Sequence, residues 1–269
     1  MAIGLLSSRD TFAAEGIDGF TEPYQDIDVT AAEMGSIIRI DVKEGDRVKT
    51  SQLLAQLDDE VLRASLDIAK ANMEFQGRLE SSIAEFDLQN DLLVKLNDLL
   101  ARKHATPQEV ERTLSQKNIA EARVKAIREE LAVKSLEYNR ILSELKRRKI
   151  FSPIEGIVTR IYKDPGEFVS PSDPMVLKVV RLDPLLVIFS VPAEMANTMQ
   201  VDQAVKVQVA KDKQVVEGIV EFVSPTIDPQ SGSTRVRVRI PNPSETIPSG
   251  TKAQLVVSGE PGKLANRIR

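Results

Sequence analysis

Read for its hydrophobic and polar positions, the chain changes period twice. Ile38, Ile40 and Val42 alternate with Arg39, Asp41 and Lys43, the period of a half-buried strand. From Glu60 to Ile150 the period becomes that of a coiled coil. Apolar residues recur at heptad steps through Ile68, Phe75, Leu79, Phe86, Leu93, Leu96 and Leu100, with Asn72, Ser82 and Gln89 in the remaining seam positions. A second seam runs through Ala120, Val124, Ile127, Leu131, Lys134, Tyr138, Ile141 and Leu145. The other positions are mostly Glu, Lys, Arg, Gln and Asp, so most of each helix faces water. Neither interior holds a proline, and only Gly77 interrupts the helix formers. The spacing predicts two long helices that break at Ala105-Thr106-Pro107. There Thr106 is the N-cap, Pro107 opens the second helix and Glu109 completes a capping box. A turn that short sets the helices antiparallel. At 1.5 Å rise per residue, about 43 residues each make a rod roughly 65 Å long.

A small β-pattern stands on either side of this insert. Glu44-Gly45-Asp46 supplies a turn, and Leu53–Leu57 a second short strand. The pattern returns after the insert: Gly35 matches Gly156, Ile40 matches Ile161, Gly45 matches Gly166 and Val48 matches Val169, all 121 residues apart. Beyond Val169 a one-residue slip brings Met175–Val179 over Leu53–Leu57, and Lys163 departs from the pattern where Val42 stands. These are two copies of a repeat of about 30 residues, each half of one sandwich. From Leu182 to Ser258 the chain reads as strands and turns, cleanest in Thr234–Ile240, where Val and Ile alternate with Arg. Short antiparallel strands at this spacing suggest a small barrel. Ahead of all this, Gly16 and Gly19 break any pattern, so residues up to Glu22 read as peripheral and Asp26–Ala31 as a strand.

Composition narrows the chemistry. A net charge of −4 over 269 residues leaves no basic footprint for nucleic acid. No cysteine is present, which excludes disulfides and a thiol nucleophile. No stretch reaches the roughly 18 apolar residues of a spanning helix. Met1–Ser8 lacks the basic flank and long apolar run of an export signal.

Three phrases carry a resemblance: Phe151-Ser-Pro-Ile-Glu-Gly-Ile-Val158, Asp164-Pro-Gly-Glu-Phe-Val169, and the run from Ser231 to Pro243. With the split repeat, they resemble the periplasmic adaptors (membrane fusion proteins of the HlyD/AcrA-like family) of tripartite efflux pumps. The resemblance implies a mixed α and β, multidomain, elongated fold. Residues 1–28 would return to the barrel region, and 29–59 with 150–181 would form a split lipoyl/biotinyl-like sandwich. Residues 60–149 would be the coiled-coil hairpin, 182–258 the β-barrel, and 259–269 a tail with the membrane-proximal domain absent or reduced. It further implies a non-enzymatic protein of the periplasm, associated with the inner membrane. An inner-membrane transporter, RND type ahead of ABC type, and a TolC-like outer-membrane channel would be its partners, with self-association into a ring, sixfold in the family. Adaptors of this family carry a basic residue, a leucine four on and a hydroxyl residue seven further at the tip that meets the channel. Lys95, Leu99 and Thr106 fall on that spacing, with Lys for the usual Arg and Thr for the usual Ser.

Other classes are weighed against it. His104 is the single histidine and has no nucleophile or ligand partner beside it, so it reads as a solvated tip residue. Glu129-Glu130 and Asp58-Asp59-Glu60 lack an apolar cleft to tune them, and the latter suits a helix start. No catalytic constellation, metal site or cofactor site is expected. A lipoyl or biotin carrier needs a lysine on the tight turn between its halves, and here the hairpin replaces that turn. A coiled-coil scaffold explains the hairpin but not the split repeat.

Overall fold

The computed structural model describes residues 16–209 and 214–256. The first strand, β1 (Ile17–Thr30), occupies much of the stretch read as peripheral. Gly19 does not break it. A Cβ there would stand 2.4 Å from the Ile188 carbonyl oxygen and 2.5 Å from the Phe189 ring, so the glycine permits close approach of a neighbouring strand.

The repeat folds as two halves of one sandwich. The first half holds β2 (Gly35–Ile40), β3 (Arg47–Val48) and β4 (Leu53–Leu57). The second holds β5 (Lys149–Phe151), β6 (Gly156–Ile161), β7 (Phe168–Val169) and the long β8 (Met175–Pro192). One sheet runs β5-β4-β2-β7, and the facing one takes β3, β6, β8 and part of β1. Gly35 lies opposite Val169, and Gly156 opposite Val48, the same pairing repeated at the 121-residue offset. Ile37 lies opposite Leu57 and Val158 opposite Val179, so the partner strands are offset by 122 and carry the expected slip. Both repeats turn on a glycine with positive φ, 93° at Gly45 and 95° at Gly166. Ile37, Leu54 and Leu57 from one half meet Val158, Val176 and Val179 from the other in a single core. Lys163, in the place of the buried Val42, reaches across to pair with Asp173 instead.

The remaining strands are β9 (Ala204–Val209), β10 (Gln214–Asp228), β11 (Ser233–Ile240) and β12 (Lys252–Val256). They close with β1 and β8 into a six-stranded barrel in the order β1-β12-β9-β10-β11-β8. Val236, Val238 and Ile240 enter its core, as their alternation with Arg235, Arg237 and Arg239 predicts. β1 and β8 serve both cores: they pair from Gly19 opposite Phe189 in the barrel to Val29 opposite Leu177 in the sandwich. A barrel loop adds a further tie, where Glu245 pairs with Arg47 of the sandwich.

The helices depart from expectation in one respect. The descending arm, α3 (Pro107–Arg147), is a single helix of 41 residues, about 60 Å long. The ascending arm is two helices, α1 (Glu60–Glu74) and α2 (Gly77–Ala101). Phe75 leaves the helical region with ψ 95°, and the break rephases the seam. Above it Leu79, Phe86, Leu93, Leu96 and Leu100 turn toward α3 as expected. Below it Ile68, Asn72 and Phe75 are exposed, and the inward positions are Leu62, Leu66, Ala69 and Met73. On α3 every expected seam residue from Ala120 to Leu145 is buried or half-buried. Ion pairs from Arg78 to Glu130 (3.2 Å) and from Arg123 to Glu85 (3.0 Å) join the arms in antiparallel register.

Candidate docking tip and its mounting

The tip is closed by two interlocking caps. At the end of α2, Lys103 adopts a left-handed φ of 60°. Its N–H reaches the Leu100 carbonyl at 2.9 Å, and the His104 N–H reaches that of Leu99 at 2.8 Å. This paired geometry is a Schellman cap, with lysine where glycine or asparagine is usual. No pattern in the sequence signals it, because lysine has no preference for that region. At the start of α3 the predicted capping box is present. The Glu109 N–H donates to Thr106 Oγ1 at 3.3 Å, and the Thr106 N–H donates to Glu109 Oε2 at 2.8 Å. The Thr106 hydroxyl also donates to the same carboxylate at 2.8 Å. The Thr106 N–H and then its hydroxyl hold the Glu109 carboxyl below its ordinary pKa.

Lys95 and Leu99 stand one turn apart on a single face of α2, and both are exposed, Leu99 to 41%. Thr106 is exposed at the head of the next helix. The structure therefore joins Lys95 with Leu99 on one helical face, and ties Thr106 to Glu109 rather than to either of them. His104 is exposed, and its backbone serves the cap.

The root of the hairpin is anchored on both arms. Asp59 is 5% exposed and accepts from Gln56 Nε2 at 2.8 Å and from Arg63 Nε and Nη2 at 2.8 and 2.9 Å. The Arg63 bonds hold its carboxyl below the ordinary value of 3.8. Of the acidic cluster at this helix start, Asp58 rather than Asp59 takes a helical N–H, that of Glu60 at 3.1 Å. On the other arm Arg147 pairs with Glu33 at 2.8 Å, and Arg148 donates to the Met34 carbonyl at 2.9 Å. The guanidinium passes directly over Gly35, where a Cβ would stand 2.5 Å from it. Sequence reasoning assigned that glycine to the repeat and missed the arginine. Glu130 is held by Lys134 and Arg78 in an interhelical network, not in a site. Among the described residues no group of three or more acidic or histidine side chains could hold a metal ion. Among those same described residues no helix is long and apolar enough to cross a membrane.

Residues 25–181 match the family model described as RND MFP, barrel-sandwich hybrid domain. The chain belongs to the RND membrane fusion protein family. Residues 185–261 match a second model, the CusB-like β-barrel domain. Similar relatives include the multidrug efflux pump subunit AcrA of Escherichia coli K12, 25% identical over 87% of this chain and 59% of its own length. Multidrug resistance protein MdtE of the same strain is 25% identical over 91% of this chain and 64% of its own. The periplasmic linker protein MepA of Pseudomonas putida, from a multidrug/solvent efflux pump, is 26% identical over 87% and 58%. This chain thus spans about three-fifths of the length of these curated relatives. Among solved structures, MacA from Actinobacillus actinomycetemcomitans shares the fold with a TM-score of 0.75 at 21% identity, over 90% of this chain and 78% of that one. The membrane fusion protein Spr0693 from Streptococcus pneumoniae R6 follows the fold with a TM-score of 0.61 at 16% identity, over 91% and 98%.

Proposed function

We propose that this membrane fusion protein is a non-enzymatic periplasmic adaptor, linking an inner-membrane efflux transporter to a TolC-like outer-membrane channel for export of small molecules. The observation that carries the reading is the placement of a doubly capped, exposed tip on a rod anchored at both roots into a sandwich and barrel of this family. A spacer anchored in this way holds its tip at a set distance from the barrel, which is what a bridge between two membranes needs. In this reading 29–59 with 150–181 is one folding domain, 60–149 the spacer and 182–258 the barrel near the transporter. Lys95, Leu99 and Thr106 contact the channel. Lys95 brings a point charge where the family's arginine brings a planar fork, so the contact depends less on bidentate geometry. Copies close into a ring around the path of the exported compound, six in the family's usual count. The matched family model, described as RND MFP, favours an RND transporter; an ABC exporter is the second reading.

The test is a photo-crosslinking residue at Leu99, used in cells that make the chain with its transporter and channel. The expected capture is an outer-membrane channel subunit. Capture of soluble proteins alone, with no outer-membrane component, would overturn the reading.

A further inference from the structure

The two broad sides of the hairpin differ in character. The ion pairs Arg78–Glu130 and Arg123–Glu85 mark one side. Leu92 continues the row of Arg78 and Glu85 at seven-residue steps, with Leu88 one turn before it, and both are exposed. On α3, Ile119, Ala126 and Val133 form the row one turn ahead of Arg123, Glu130 and Glu137, and all three are exposed, with Leu136 just behind. On α1, Val61, Ala64, Ile68, Ala71 and Phe75 make an unbroken apolar stripe at alternating three- and four-residue steps, all exposed. Ile68 and Val133 are each 65% open to solvent. Between α1 and α3 a hollow of about 230 Å³ opens beside Ile68, Ser65 and Asn72. Most charged residues on this side neutralise one another: Glu130 with Arg78, Glu85 with Arg123, and Glu137 and Glu144 with Arg140, while Lys95 and Arg112, further along the same rows, have no ion pair among the described residues. The opposite side holds a groove between α2 and α3 edged by Asp87, Glu121, Lys125 and Arg128.

A stripe at knobs-into-holes spacing with no helix against it is a seam without its partner. We propose that, until the chain engages its partners, this side of the hairpin packs face to face against the same side of a second copy. Contact between unlike sides would set Val61, Ile68 and Val133 against the charged groove and strip water from its ions, of which Asp87 and Arg128 have no ion pair among the described residues. Like against like buries apolar on apolar, with most of each copy's charges already paired at home, and makes an isologous contact. The area suffices for a weak pair. A buried aliphatic side chain removes about 60–120 Å² from water. Eight large side chains at this exposure then give on the order of 450 Å² per copy, or roughly 900 Å² for the pair, beside the ~1,000 Å² at which specific contacts begin. The alanines at 64, 71 and 126 add to it and let the helices approach closely. The row through Leu92 ends at Leu99 and that through Leu88 at Lys95, so pairing uses the side that the efflux reading gives to the channel, before the channel is engaged; sedimentation of the chain alone tests the first and the capture at Leu99 the second.

The experiment is sedimentation equilibrium on the full purified chain up to about 100 µM, with wild type and Ile68→Glu/Val133→Glu compared. Wild type should show a monomer–dimer equilibrium, and the double variant should associate at least tenfold more weakly with unchanged helical content. Lys125→Glu, on the charged side, should pair as wild type. If glutamate disturbs α1, Ile68→Gln with Val133→Gln removes the apolar area without adding charge and should weaken pairing in the same direction. The chain has no cysteine of its own, so Ile68→Cys reports geometry. Oxidation should link it to Val133→Cys in a mixture when the two hairpins point the same way, since the two-fold then sets α1 against the other copy's α3, or to Leu92→Cys when they point opposite ways. A strictly monomeric wild type, or linkage of Ile68→Cys only to Lys125→Cys, would overturn the proposal.

Discussion

Ile37 and Val158, 121 residues apart, accept the same hydrogen bond from opposite halves of the sandwich: the Gly166 N–H meets the Ile37 carbonyl at 2.7 Å, and the Gly45 N–H meets that of Val158 at 2.8 Å. Each half therefore carries the turn that closes the other. The hairpin enters only between β4 and β5, where Gln56 and Lys149 are already paired across two antiparallel strands.

That pairing makes the insert removable. Replacing residues 60–147 by a two-residue Asn-Gly turn should leave a β-protein that unfolds cooperatively, because the core residues of both halves stay in place. Circular dichroism through a thermal ramp checks it. A remnant with no cooperative transition would show that the two halves do not make one domain by themselves.

Much of this architecture was legible because the repeat places glycine where the backbone needs positive φ, at Gly45 and Gly166, and repeats the apolar anchors around it. The capping box at Thr106 was legible for the same reason: each of its residues does one local job. The break at Phe75 was not. α1 carries two apolar stripes at heptad spacing, one through Leu62, Leu66, Ala69 and Met73 and one through Val61, Ile68 and Phe75, and periodicity alone cannot say which faces α3. β1 was hidden because its two ends belong to different cores and Gly19 gives way to the Phe189 ring. Lys103 and the anchors at Asp59 and Arg148 were invisible because they depend on contacts across the fold rather than on spacing. The contact roles of Lys95 and Leu99 came from family likeness alone.

Asp59 gives the root of the hairpin a pH dependence. Its carboxyl is depressed chiefly by the Arg63 hydrogen bonds, so its contribution is complete above the unfolded value near 3.9 and is lost as pH falls through the lower folded value. Asp59→Asn should be less stable than wild type by roughly 1–3 kcal/mol at pH 7, since the substitution removes a charged acceptor from Arg63. The gap should narrow as urea unfolding is repeated from pH 5 down to pH 3. A difference that stays constant over that range would mean that the carboxylate's charge is not what anchors α1.

Thr106 carries two roles in one residue, and the geometry decides which substitutions separate them. Its oxygen accepts the Glu109 N–H, while its hydroxyl donates to the Glu109 carboxylate. Serine keeps both bonds and should behave as wild type. Alanine removes the cap at a cost of about 1 kcal/mol and should speed hydrogen exchange at residues 107–110. Aspartate would otherwise be a good cap, but here its carboxylate would face that of Glu109, so the tip should loosen despite the favourable helix N-terminus. Asparagine caps without charge and without the hydroxyl, which makes it the informative variant. With a channel contact at Thr106, Thr106→Asn should keep exchange slow at residues 107–110 yet lower efflux, read as drug accumulation in cells that depend on this adaptor. If Thr106→Asn exports as well as wild type while Thr106→Ala does not, the residue acts only as a cap. Lys95 and Leu99 would then carry the docking role without it.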